Sequence, residues 1–171
     1  MLVRAMTRYF VVGFIVLAIG AVATASSSLA CGANPLAVGP QPSIAGAPHF
    51  IWPARGKLVW DLCSDGSERR FDGINIAVRE GTPVKAVADG FVAYAGSELK
   101  GFGNIVLISH GGGWVTAYAY ASRLLVKRSD RVQRGQRIAL SGRSPGTDAP
   151  MLHFEIRRDS SPIDPLRVLP K

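Results

Sequence analysis

Pro150-Met151-Leu152-His153-Phe154-Glu155-Ile156-Arg157 is the stretch whose reading decides the fold. Leu152, Phe154 and Ile156 share one parity, while Met151, His153, Glu155 and Arg157 share the other. Alternation with period two is the pattern of a β-strand with one face buried and the other open. The open face sets an imidazole beside a carboxylate, a pairing able to orient a metal ligand or a catalytic base. Parity alone favours the plainer reading, a strand whose polar face is solvated.

Outward from this stretch the texture repeats. Lys57–Trp60, the segment around Ile74 and Ile76, Val84–Ala88, Gly90–Gly96, Asn104–Ser109, Trp114–Ala119 and Arg137–Ser141 are short apolar runs separated by glycine-rich turns. Many short strands at nearly regular spacing predict an all-β domain, a sandwich or barrel-like arrangement of short antiparallel strands. No long segment carries a helical period, and Ile163–Leu169, with two prolines, allows a short terminal turn at most. Residues 51–171 are enough for one core without disulfides.

The beginning of the chain is different. Arg4 and Arg8 precede an apolar run from Tyr9 to Ala23, and a small-residue cluster follows up to Ala30-Cys31. This is the layout of a secretory signal peptide over residues 1–30, with a retained membrane anchor as the competing reading. Cys31 is open either to lipid attachment or to serving as the first residue after ordinary cleavage. Residues 31–50, rich in Pro, Gly and Ala, read as a flexible linker with a solvated His49 at its end. Cys63 reads as a small buried apolar residue rather than a disulfide partner of Cys31. The formal charge is +8, and removal of Arg4 and Arg8 with residues 1–30 leaves +6. An exported basic protein suits polyanionic envelope partners, and no nucleic-acid motif is present. The basic run Arg123, Lys127, Arg128, Arg131, Arg134, Arg137 and Arg143 is either a solvated face or a docking surface for an acidic partner.

Taken in order, the chain resembles the LytM-type (lysostaphin-like) peptidase family of zinc endopeptidases that cut peptidoglycan. The resemblance rests on Trp52-Pro53-Ala54-Arg55-Gly56, Phe71-Asp72-Gly73-Ile74-Asn75-Ile76, Gly81-Thr82-Pro83-Val84 and Ala88-Asp89-Gly90. It continues through Gly101-Phe102-Gly103-Asn104, Ile108-Ser109-His110, Thr116-Ala117-Tyr118-Ala119-Tyr120 and Met151 to Arg157. By this resemblance the three zinc-ligand positions are Phe71, Asn75 and His153, and two assisting histidines correspond to Tyr120 and Met151. Phenylalanine has no lone pair to donate, and an amide oxygen is a weak zinc ligand. The expectation is therefore no metal, no cofactor and no catalysis, with His110 explained by packing or solvation.

A surviving scaffold with a dismantled metal site resembles the non-catalytic, NlpD-like branch of the family. That implies a periplasmic or envelope factor which binds and activates a peptidoglycan amidase in cell division. A partner-binding groove is expected from Phe71, Asn75, Tyr120, Met151 and His153. The branch usually carries a wall-binding LysM module ahead of this domain, and residues 31–49 are too few for one. Two other classes compete: a zinc endopeptidase using a rearranged site of His110, His153 and Glu155 or Asp72, and a structural, wall-binding envelope lipoprotein.

Overall fold

The computed structural model describes residues 43–59, 73–146 and 148–171. The signal-peptide segment, Cys31, Cys63, Phe71 and Asp72 lie outside them. In chain order the strands are β1 (Lys57–Val59), β2 (Gly73–Ala77), β3 (Pro83–Lys85), β4 (Gly90–Gly96) and β5 (Asn104–Gly111). They continue with β6 (Trp114–Leu124), β7 (Arg131–Val132), β8 (Arg137–Arg143), β9 (Pro150–Arg158) and β10 (Ser161–Ile163). All pairings are antiparallel, in the order β1-β2-β9-β8-β6-β5-β4-β7, with β10 against β9, β3 against β8 and a further pairing of β6 with β9. A 3₁₀ turn, Pro165–Arg167, follows, started by the Asp164 carboxylate accepting from the Leu166 N–H. The all-β architecture is the one the glycine-punctuated runs predict.

β9 departs from the expectation in one respect that matters for the site. Its second face is covered as well: Met151, His153 and Glu155 are 3%, 2% and 5% exposed. The strand is central, held by β2 on one side and by β6 and β8 on the other. Leu152, Phe154 and Ile156 enter the main core with Ile74, Ile76, Trp114 and Tyr118. Burying side chains of this size is worth about 1.5–3 kcal/mol each. Met151 joins a smaller cluster on the other face, with Ile105, Ala117, Ala119 and Tyr120. The polar parity of β9 is thus interior.

β6 changes partner halfway along its length. Trp114–Ala119 pair with Arg158–His153 of β9, whereas Ala121–Leu124 pair with Ser141–Ala139 of β8. Tyr120 sits at the changeover with φ 62°, a left-handed conformation that costs a non-glycine residue about 1–2 kcal/mol. Its N–H, withdrawn from the ladder, donates to the Phe102 carbonyl at 2.9 Å. Gly142 faces this bend, where a Cβ would stand 2.7 Å from the Ser122 nitrogen and 2.8 Å from the Tyr120 oxygen. These are backbone atoms, and they leave no room for a side chain.

Residues ahead of the predicted boundary at 51 pack on the domain. Phe50 is buried and meets the rings of His110 and Trp114 edge-on at 5.8 and 5.7 Å. The Arg158 guanidinium lies over the Trp114 ring and donates to the carbonyls of Ser43 and Ala45 at 2.7 and 2.9 Å. The Trp52 indole donates to the Pro170 carbonyl at 2.8 Å, so the two ends of the described chain are clasped together.

The bend at Tyr120 gives a direct test. Gly142→Ala is expected to lower unfolding stability by about 2–4 kcal/mol. Gly146→Ala, whose Cβ would meet only the Ser144 hydroxyl at 4.0 Å, is expected to change it by about 0.5 kcal/mol or less. Urea unfolding of the two variants checks this, and equal effects would contradict the close approach.

Candidate functional site

β2 and β9 bring the site together. Their register sets Asn75 directly opposite His153, so both side chains stand on one face of the sheet. His153 Nδ1 lies 2.8 Å from Asn75 Oδ1, and Nε2 lies 3.1 Å from Glu155 Oε1. The other Glu155 oxygen accepts from Arg157 Nε at 2.8 Å. A polar chain thus runs Asn75–His153–Glu155–Arg157 from the interior to the half-exposed guanidinium. With an imidazolium, both ring nitrogens donate. With a neutral ring and the Asn75 amide turned end for end, one nitrogen donates and the other accepts. In either state both nitrogens are satisfied, as burial demands.

Burial pushes the Glu155 carboxyl up, but hydrogen bonds and charge from His153 and Arg157 outweigh it and hold the group below the usual carboxylate range. Two aromatic rings cover the imidazole. Tyr120 is 5.5 Å away between centroids and Phe102 is 6.0 Å away, both tilted. Met151, Tyr120, Phe102 and Tyr94 close the surroundings as one apolar cluster.

Asn75, Tyr120, Met151 and His153, four of the five predicted groove residues, are therefore gathered in one place. They do not line an open groove. Tyr120 is 8% exposed and the other three less, because the cluster of Ile105, Ala117 and Ala119 takes up Met151 and Tyr120. The fifth, Phe71, lies outside the described residues. Sequence reasoning missed Phe102 and Arg157 as members. The signal for Phe102 is its place between two left-handed glycines, Gly101 and Gly103, which aim the loop back at the site. For Arg157 it is the same parity as Glu155.

His110 is elsewhere. Thr116 pairs with Ile156 across β6 and β9, so it shares the main-core face, opposite to His153. His110 Nε2 lies 2.8 Å from the Thr116 hydroxyl, which is 3.0 Å from the Tyr118 phenol, which in turn accepts the Val87 N–H at 3.0 Å. His110 Nδ1 meets the Asp89 carbonyl at 2.7 Å. Burial pushes the imidazole pKa down, with only partial opposition from Asp89. It also pushes the Tyr118 phenol up. One directional assignment satisfies every group: a neutral His110 donates from Nδ1 and accepts from Thr116, while Tyr118 donates to the Thr116 oxygen. A rearranged metal site combining His110 with His153 and Glu155 is excluded, because the two histidines stand on opposite faces.

The zinc of LytM-type enzymes needs three protein donors of imidazole, thiolate or carboxylate type. Among the described residues no group of three such side chains is placed to hold a metal. Asn75 offers only an amide, already hydrogen-bonded to the imidazole beside it. Among the described residues, the donors around His153 do not make a zinc-binding set.

Glu155→Gln is expected to destabilise the protein by about 1–3 kcal/mol at neutral pH, since Arg157 and His153 lose a buried partner. The folded pKa of Glu155 is depressed. Its stabilisation is therefore complete above the unfolded value of about 4.3 and is lost as pH falls through the folded value. Denaturant unfolding at neutral pH and at the lowest pH where both proteins still fold should show the gap closing. A constant gap would contradict the charge pairing.

With the geometry in hand, the chain can be set beside known proteins. It is 42% identical over 133 residues to the cell division protein DipM of Caulobacter vibrioides, covering 74% of this chain and 22% of the relative. It is 41% identical over 121 residues to the murein hydrolase activator NlpD of Escherichia coli, covering 70% of this chain and 31% of the relative. The chain thus spans about a third of these relatives or less. The fold superposes on the crystal structure of a zinc-containing peptidase from Vibrio cholerae with a TM-score of 0.60 at 27% identity, over 67% of this chain and 38% of that one. The model described as Peptidase family M23 matches residues 69–165, more than half the chain and every strand from β2 to β10. The chain belongs to peptidase family M23.

Proposed function

We propose that this chain is a non-catalytic factor of the cell envelope that binds a peptidoglycan amidase and activates it in cell separation. The observation that carries the reading is the interior chain Asn75–His153–Glu155–Arg157, roofed by Tyr120 and Phe102, which includes Asn75, His153 and Tyr120, three of the positions where the family resemblance places metal chemistry. Asn75, His153, Glu155 and Arg157 are joined to one another by side-chain hydrogen bonds in an interior, apolar setting. The names of the relatives, a cell division protein and a murein hydrolase activator, support the same reading. The exported placement rests on the signal-peptide pattern of residues 1–30, and a lipid on Cys31 would hold the protein at a membrane.

The buried groove residues act from beneath in this reading, and the contact itself is made by the loop above them. Leu99 is 41% exposed in the β4–β5 connection, its carbonyl accepts from the Phe102 N–H at 3.3 Å, and the Phe102 ring lies 6.0 Å from the His153 ring. The Phe102 carbonyl is also the acceptor for the strained Tyr120 N–H. An exposed apolar residue on a loop tied to the site below is suited to anchoring a protein partner. Activation then needs only that the loop bind the open form of the amidase better than the closed one. A difference of about 3 kcal/mol shifts their ratio roughly a hundredfold.

The test mixes the full chain with amidases of the same cell and follows dye release from labelled sacculi, with zinc measured per chain. The expected outcome is no release by the chain alone, less than stoichiometric zinc, and strong stimulation of one amidase. Leu99→Glu should reduce that stimulation about tenfold or more while leaving the melting temperature unchanged. Chelator-sensitive release by the chain itself, with one zinc bound, would make it an endopeptidase. Failure to stimulate any amidase would leave a structural, wall-binding lipoprotein.

A further inference from the structure

The basic run between Arg123 and Arg143 divides in the structure. Arg143 is engaged, its guanidinium 2.8 Å from Glu80 and 4.0 Å from Asp148. Arg123, Lys127, Arg128, Arg131 and Arg137 are exposed, and no carboxylate of the described residues pairs with them. Lys85, exposed as well, stands opposite Arg137 across β3 and β8. Asp130 is the one acid between Arg123 and Arg143, and its carboxylate accepts from the Lys127 N–H of the same turn at 2.9 Å. The Lys127–Asp130 turn, with Ser129 at φ 73°, therefore presents Arg128 to solvent, with its one carboxylate tied to the turn's own backbone.

Apolar side chains are set among these cations. The segment after β6 crosses from β8, where the Leu125 N–H donates to the Ile138 carbonyl, to β4, where Ser129 and Asp130 bond to Val92 on both sides. Beside that second contact, Phe91 is paired with Arg131 and 56% exposed, with the guanidinium 6.0 Å from its ring centroid. Leu125 is 42% exposed on the same segment. Neither residue belongs to the site around His153.

We propose that this surface, from Arg123 through the 127–130 turn to Arg131 and Phe91, docks the domain on a lipid bilayer rich in anionic headgroups. Unpaired cations are attracted to such a surface. An exposed phenylalanine and leucine between them gain by entering the headgroup layer, while the arginine stems lie along it. A polyphosphate would meet the charges but offer nothing to Phe91 and Leu125, and a glycan would stack on Phe91 but not on the aliphatic Leu125, which is why the lipid surface is the better fit. The surface is built into the folded domain and does not depend on a lipid at Cys31 or on the amidase reading.

The full chain is sedimented with vesicles of phosphatidylcholine alone or of phosphatidylcholine with phosphatidylglycerol, at low and high salt. Binding is expected to favour the anionic vesicles and to weaken with salt. Arg128→Glu combined with Arg131→Glu should lower partitioning about thirtyfold or more. Phe91→Ser should lower it several-fold while leaving the salt dependence intact. Both variants should melt like the wild type and leave amidase stimulation in solution unchanged. Equal binding to the two kinds of vesicle, or binding indifferent to the charge reversals, would overturn the proposal. So would charge-dependent binding that Phe91→Ser leaves unaltered, which would mark a polymer surface instead.

Discussion

The bend in β6 is the constraint on which the rest of the structure depends. One strand must serve β9 along its first half and β8 along its second, and a straight strand cannot do both. The turn between the two halves is concentrated in a single residue, Tyr120, held left-handed although it has a side chain. Such strain persists only where the surroundings over-determine it. Here they do so twice: the Phe102 carbonyl takes the displaced N–H, and Gly142 lets β8 approach the bend closely. The phenol ring is thereby swung over His153, so sheet geometry and site architecture share one cause.

Closure of that ring over the imidazole sets the chemistry beneath it. A histidine and a carboxylate 2% and 5% exposed cannot stand alone in an apolar cluster. Asn75 on one side and Arg157 on the other complete their hydrogen bonding, and Arg157 reaches solvent with the charge. The result is a polar pairing across β2 and β9 that favours their register, because a slip of one residue in either direction would leave His153 opposite Ile74 or Ile76 instead of Asn75. The opposite face has the same character, with His110, Thr116 and Tyr118 joined into a chain that anchors the Val87 backbone.

Much of this was legible in the sequence. Period-two alternation and glycine punctuation located eight strands, among them β4 at its observed limits and β9 within one residue at either end. β7 and β10, of two and three residues, were too short to show a period. The covering of the polar face of β9 was not legible, because parity reports which residues share a face and not what lies above it. That depended on Tyr120 leaving the β conformation, and no local signal marks a tyrosine for φ 62°. The gathering of Asn75, Tyr120, Met151 and His153 followed from family resemblance rather than from spacing, and their burial followed from neither. Phe50 was assigned to the linker on the strength of the prolines around it, yet its ring is core because His110 and Trp114 present edges to it.

The Arg158 clasp also decides how the domain carries load. A pull arriving from upstream of Ser43 is transmitted through the Ser43 and Ala45 carbonyls to a guanidinium at the end of β9. β9 is an interior strand paired on both sides, so tension is spread over the ladders to β2 and β6 at once instead of peeling an edge. Hydrogen bonds loaded side by side in this way yield together, whereas those on an edge such as β7 open one after another. A pull on the chain at Ser43 thus reaches an interior strand before any outer one.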